Sequence, residues 1–442
     1  MPEPTESDER VPAPTTADPD VRPGRWTNAG GRGNGHTRRA ATRRVQLAQA
    51  ADRPWVAAAL SALAGMGAVA GRLAVAAHGT IGTFVVAGST YARAGEVPNG
   101  IPVVPGNGYD GQFYYRMALD PLDMARTAYG ITLDSVDRLS RIGYPLLAWL
   151  TAGGVRAAVP WTLVAVNVAG LAALACAGAA LARSGGRHAL TGVLMAAYPG
   201  FLWTLARDTT EIVAAAFLVG GLAALHRRRS LMAGLLLAGS AITRETALAT
   251  VGAVFVAWLA GRVESARRNR DSHRERPAWL GPVDVRAVSW LVPVAAFAAV
   301  QAVVGARIGA FPLGSSGQHN LGLPFGGIVR GLAHYATGLP STASLLWFGE
   351  LGVLAVVVAL AAGVARHAGA PLHERIAWAA LIVLAVFLAP GIWLGDVGFR
   401  SLDPLYLLSM VMLLGSSRRL RVPAALVAGA WIVVAVELCL FV

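Results

Sequence analysis

The run PWTLVAVNVAGLAALACAGAALA, residues 160–182, contains no charged side chain. A helix of that length, rising about 1.5 Å per residue, crosses the roughly 30 Å hydrocarbon core of a bilayer. Similar apolar runs lie near 55–77, 142–158, 189–206, 211–226, 231–260, 287–305, 343–366, 376–394, 402–416 and 423–441. Several are short or long for a single crossing. The expectation is an all-α polytopic membrane protein with about 10–12 transmembrane helices.

Composition agrees. Of 442 residues, 55% are hydrophobic and 14% charged, with a mean hydropathy of +0.52; soluble domains carry about 25% charged residues. Cys176 and Cys439 both sit inside apolar runs, which excludes a disulfide scaffold and leaves no metal-ligand spacing. The net charge of +13 comes entirely from arginine, the chain having no lysine. Because these arginines cluster between apolar runs, they read as topology signals, and no nucleic-acid partner is expected.

The arginine-rich connectors are 183–187, 227–229, 262–276, 366–375 and 418–421, which the positive-inside rule assigns to the cytoplasm. The first breaks strict alternation if 142–158 and 160–182 both cross fully, so one of the two is expected to be partial or re-entrant. Residues 1–53 are polar and aperiodic and read as a disordered cytoplasmic tail. The first apolar run starts near Trp55, too late for a cleaved signal peptide. Residues 54–442 then form a multi-span domain in the plasma membrane, with the N-terminus cytoplasmic.

Two long connectors, 89–141 and 306–342, are not basic and fall on the opposite, outer side. Long loops of this kind usually carry function. The first contains Asn107-Gly108-Tyr109-Asp110-Gly111-Gln112-Phe113-Tyr114-Tyr115-Arg116. Gly111 to about Leu119 suits a short amphipathic helix in the headgroup layer, with Tyr109, Tyr114 and Tyr115 as interfacial rings. Asp110 at its start is open to two readings, an N-cap or a catalytic carboxylate. The other loop acids, Asp120, Asp123, Asp134 and Asp137, lie in polar turns without that setting.

Further along, Arg207-Asp208-Thr209-Thr210-Glu211 puts two acids three residues apart on one helical face. It reads as a capping box, as a binding constellation, or as both. Arg244 and Glu245 interrupt the run 231–260; ionisable groups at such a place form either an internal ion pair at a helix break or a functional site. Arg400 stands at an outer span end, as a phosphate contact or an anchor. His319 and His334 read as ordinary loop histidines, and Arg72 either snorkels or faces the bundle.

Tyr109-Asp110-Gly111-Gln112-Phe113-Tyr114, in the loop after the first span, resembles the first-loop signature of GT-C-type integral-membrane glycosyltransferases, in particular PIG-V-like and polyprenyl-phosphate-mannose-dependent mannosyltransferases. Arg141-Ile142-Gly143-Tyr144-Pro145 resembles that family's second-span entry, Arg207–Glu211 its later acidic turn, and Thr243-Arg244-Glu245-Thr246 its arginine-containing break. The likeness covers most of residues 55–260 and weakens afterwards, and Asp208 departs from it as an extra acid.

The resemblance implies an inverting membrane glycosyltransferase. It would move a sugar from a polyprenyl-phosphate donor to a cell-envelope glycan or lipid acceptor on the outer face. Asp110 would be the base, and Tyr109, Gln112, Tyr114, Arg116, Arg207, Asp208, Glu211, Arg244, Glu245 and Arg400 would bind substrate. No metal site and no cofactor are expected, a divalent cation being left open; membrane lipid is the remaining partner. The chemistry is coherent with the residues: a lipid-linked sugar needs no nucleotide loop, and a chain without lysine can build no P-loop. It needs a carboxylate to take a proton and guanidiniums to hold the departing phosphate. A transporter or lipid flippase is the alternative, although the break at 243–246 has no mate in the second half, as inverted repeats would supply.

Overall fold

A computed structural model describes residues 52–271, 285–314, 320–366, 370–395 and 397–440. The tail expected at 1–53 falls almost wholly outside the described residues. Gln49–Val442 is one compact unit, and its described residues are mostly helical.

In chain order the helices are α1 (Pro54–Val75), α2 (Gly111–Leu119), α3 (Gly143–Thr151), α4 (Val159–Ser184), α5 (Pro199–Ala206), α6 (Glu211–His226), α7 (Ser230–Thr243), α8 (Ala247–Asp271), α9 (Val288–Ile308), α10 (Gly326–Thr337), α11 (Thr342–Ala365), α12 (Leu372–Phe387), α13 (Asp403–Leu414) and α14 (Arg421–Leu440). The loop between α1 and α3 adds two minimal sheets. One is parallel, Ala87–Gly88 with Val103–Val104, and one antiparallel, Thr127–Ala128 with Ile131–Thr132.

Among the described residues six helices are long and apolar enough to cross a membrane: Pro54–Val75, Arg156–Ser184, Ala247–Arg268, Val285–Ile308, Thr342–Ala365 and Arg421–Leu440. A seventh crossing results if Ala189–Ala196 and Pro199–Ala206, bent by 55° at a short break, act as one span. Lipid-directed faces are visible as exposed Leu231, Leu235, Phe255, Leu259, Leu291, Val303, Ile432 and Val436, the reverse of a soluble surface. The protein is an all-α multi-pass membrane protein.

Fewer of the described helices are long enough to cross a membrane than the 10–12 transmembrane helices expected, for a physical reason. Several apolar runs fold into helices of partial length: α6 has 16 residues and α7 has 14, about 24 and 21 Å against roughly 30 Å of hydrocarbon. The run 142–158 yields only the nine-residue α3, ended at Gly153 and Gly154, which adopt φ of 61° and 77° in the region glycine enters most readily. α4 alone crosses, so the partial segment expected of that pair is α3. The break in 231–260 lies where expected, α7 stopping at Thr243 and α8 starting at Ala247 with Arg244 extended between them. Arg72 faces the bundle, buried, donating to the Leu438 carbonyl at 3.4 Å.

At one end of the bundle the arginine-rich connectors 183–187 and 418–421 meet near the start of α1. Arg187 donates to the carbonyls of Leu414 and Arg418, and Asp52 accepts from the Ala189 amide. At the other end the starts of α6 and α8 and the end of α7 stop beneath the first loop. That loop has its own core, with Val85, Phe113, Tyr114, Tyr115, Leu139 and Tyr144 packed on Leu163. All nine residues of α2 are buried. The interfacial helix expected there is therefore corrected: α2 is a core helix, and Tyr114 and Tyr115 are 1% and 0% exposed rather than interfacial.

Candidate active site

Close backbone approaches carry Asp110 into place. Gly108, at φ 63°, abuts the Gly88 backbone, and a Cβ on Gly111 would collide with the Arg207 carbonyl oxygen. The start of α2 can therefore lie directly on the turn between α5 and α6. Asp110 has helical φ/ψ, and its side chain makes no capping bond, which removes the N-cap reading.

Its carboxylate is instead bracketed by guanidiniums. Asp110 Oδ2 accepts from Arg400 Nη2 at 2.7 Å, and Oδ1 lies 3.0 Å from Arg138 Nη2. Arg400 Nη1 also donates to Glu211 Oε1 at 3.2 Å. Arg244 pairs with the same Glu211 oxygen and donates from Nη2 to Ser401 Oγ at 3.1 Å. Arg138 forks onto Asp134 at 3.1 and 2.9 Å. Arg141 forks onto Glu245 at 3.0 and 2.6 Å and reaches the Tyr114 hydroxyl at 3.3 Å. The Tyr109 ring lies between two cations, 4.6 Å from the Arg207 guanidinium carbon and 4.5 Å from that of Arg400, a cation–π sandwich. Burial works to raise the Asp110 pKa, but the charges of Arg400 and Arg138 outweigh it and hold the carboxyl well below the usual carboxylate range.

These groups open onto a cleft of about 550 Å³. Its lining combines the charged Asp110, Asp134, Asp137, Arg138, Arg141, Arg244, Glu245 and Arg400 with the apolar Ala249, Leu321, Leu384, Leu388 and Ile392. A cleft lined by both charged and apolar side chains suits an amphiphile with an ionic head.

Of the residues singled out in the sequence, Asp110, Tyr109, Arg207, Glu211, Arg244, Glu245 and Arg400 come together here, with Tyr114 behind Arg141. Three do not, and are corrected. Gln112 is fully buried, accepts from the Gly88 amide at 3.0 Å and donates to the Asn107 carbonyl at 2.9 Å; it braces the loop. Arg116 is 1% exposed and bonded to the Ala125 carbonyl, with Asp123 at 3.9 Å, because helical rotation turns it away from the cleft. Asp208 is 0% exposed at φ 47° and does not line the cleft. Its carboxylate oxygens make no hydrogen bond among the described residues, so the capping box with Glu211 does not form.

Four charged residues of the cleft were not assigned to the site from the sequence: Asp134, Asp137, Arg138 and Arg141. The signal was present as D-x-x-D-R-x-x-R over 134–141. Val136–Ser140 is a 3₁₀ helix with Arg138 inside it and Arg141 at its end, and both arginines line the cleft. Asp120 and Asp123 do cap local turns, accepting from the Leu122 and Ala125 amides. Among the described residues no group of three His, Cys, Asp or Glu side chains has metal-holding geometry. His334 stacks edge-on against Tyr335; His319 and Asp396 lie outside the described residues. No family model matches the chain, and neither a curated protein nor a solved structure matches it.

Proposed function

We propose that this protein is a GT-C-type membrane glycosyltransferase. It moves a sugar from a polyprenyl-phosphate donor to a cell-envelope acceptor on the outer face of the plasma membrane. The observation that carries the reading is the carboxylate of Asp110 held between Arg138 and Arg400 in a cleft that Leu321, Leu384, Leu388 and Ile392 also line. These apolar side chains accommodate the proximal part of a lipid chain, and the guanidiniums bind its phosphate. The short lengths of α6 and α7 support a cleft near headgroup depth, where such a phosphate resides. Arginine-rich connectors at the opposite end of the bundle support a cytoplasmic N-terminus and an outer cleft.

In the transfer the acceptor hydroxyl oxygen bonds to the anomeric carbon from the face opposite the phosphate. The bond from that carbon to the phosphate oxygen breaks, its electron pair staying on the phosphate. The acceptor proton passes to Asp110. Arg138 and Arg400, with Arg141 and Arg244 beyond them, stabilise the departing phosphate.

The test is incubation of the full-length protein in lipid vesicles with radiolabelled polyprenyl-phosphate sugars and envelope acceptors. Label moving to acceptor, with release of polyprenyl phosphate, supports the reading. Exchange of the intact lipid between leaflets without transfer replaces it with the flippase alternative.

A further inference from the structure

The cleft's cations are already engaged. Arg138 is shared between Asp110 and Asp134, and Arg400 between Asp110 and Glu211. A lipid phosphate entering the cleft therefore meets guanidiniums that face carboxylates. Electrostatics makes this costly unless a carboxylate gives way, because like charges sharing one cation repel. Asp110 is also a poor proton acceptor while two guanidiniums neutralise it, since base strength falls as the charged form is stabilised.

Charge conservation joins the two facts. Before transfer the cleft would hold a phosphodiester monoanion and the Asp110 carboxylate. Afterwards it would hold a phosphate monoester carrying a second charge and a protonated, neutral Asp110. The negative charge facing Arg138 and Arg400 is the same on both sides of the step; only its owner changes.

We infer that Asp110 is the resident counter-ion of Arg138 and Arg400, and that the two guanidiniums pass from it to the lipid phosphate as it takes the acceptor proton. The inference rests on the donor reading above. Asp110 and a lipid phosphate monoester then compete for the same two cations. The empty protein masks its phosphate site with its own base, and the monoester product is held against that competition and so released.

Competition has a consequence that neither a plain base nor a structural residue has. Removing the Asp110 charge tightens phosphate binding while it abolishes transfer. The experiment measures binding of dodecyl phosphate to the full chain in nanodiscs, with dodecylphosphocholine as chain control. Asp110→Asn is expected to bind dodecyl phosphate about tenfold or more tightly than wild type, the scale of a charge-assisted hydrogen bond. Asp110→Ser serves as a second charge-free variant should the first fold poorly. Adding Arg400→Gln to Asp110→Asn is expected to cancel the gain.

Equal or weaker binding by both Asp110 variants overturns the exchange and leaves the donor reading standing if transfer has been observed. Tighter binding of the phosphocholine control as well overturns it too, because the gain then belongs to the chain. Failure of every form, wild type included, to bind dodecyl phosphate removes the phosphate site, and the donor reading falls with it.

Discussion

The two segments that flank the cleft treat apolar surface in opposite ways. The first loop buries its helix on every face and cross-links its charges: α2 is wholly buried, Arg138 ties Asp110 to Asp134 within the loop, and Asp110 and Arg141 reach Arg400 and Glu245 on other segments. The second, from Asn320 to Pro340, exposes Leu323 by 80%, Val329 by 60% and Phe325 by 57%. It is strapped to the end of α12, Gly322 and Phe325 donating to the carbonyls of Phe387 and Val386 at 2.7 and 2.8 Å. On α10, Val329, Leu332, Ala333 and Ala336 form an exposed apolar strip beside Arg330 and His334, while Gly327 and Gly331 let the helix sit on Trp393 and Trp347. The first segment is built to hold charges still. The second has the pattern of a helix lying in the headgroup layer, and its Leu321 reaches the cleft wall.

The sharpest way to break that contrast is within the charged network. Arg400→Gln is expected to lower transfer about 100-fold, the scale of losing one preorganised donor to a departing anion. Its melting temperature should move little, because Asp110 keeps Arg138 and Glu211 keeps Arg244. A large loss of melting temperature with normal transfer would make Arg400 structural.

Arg116→Met probes the buried side of α2. It should destabilise the protein by about 2 kcal/mol, through a lost buried charge-assisted bond, and leave the donor KM of the folded fraction unchanged. A raised KM at unchanged melting temperature would return Arg116 to the site.

On the second segment, Leu323→Ser is expected to raise KM for long-chain donors by about threefold, the cost of part of one apolar side chain's burial in the interface. Short-chain donors and the melting temperature should be unaffected. The smallest expected effect is with pH. The folded Asp110 pKa lies below its unfolded value near 4, so its contribution to stability is fully present above that value and fades only as pH falls well below it. The difference in melting temperature between wild type and Asp110→Asn should therefore stay constant from pH 7 to pH 5. A difference that narrows across that range would mean the carboxyl titrates there.

Helical character, the break at 244–246 and the convergence of Asp110 with Glu211, Arg244 and Arg400 were legible because each follows from local pattern: apolar runs, charges inside a run, an acid between glycines. The number of crossings was not, because an apolar run records burial and not whether it spans lipid or stops beneath a loop, as α3, α6 and α7 do. Gln112 and Arg116 were misread for a related reason. A helix carrying Tyr114, Tyr115 and Arg116 looks amphipathic, and only the long-range packing of Val85, Leu139 and Tyr144 shows that its polar residues are buried inside protein. Arg138 and Arg141 were hidden by their polar surroundings, although their three-residue spacing marked them. The interfacial helix was sought in the first loop; the exposed amphipathic pattern belongs to α10 in the second.

The most direct test of the account compares three carboxylates that line the cleft in the same vesicles. Transfer turnover is measured for wild type, Asp110→Asn, Asp134→Asn and Asp137→Asn at matched folded protein. Asp110→Asn is expected to fall by about 100-fold or more, the scale of losing a general base, while Asp134→Asn and Asp137→Asn, whose carboxylates pair with Arg138 and Arg141, stay within about tenfold of wild type. Near-normal turnover by Asp110→Asn, with loss in either neighbour, would contradict the assignment of Asp110 as the base.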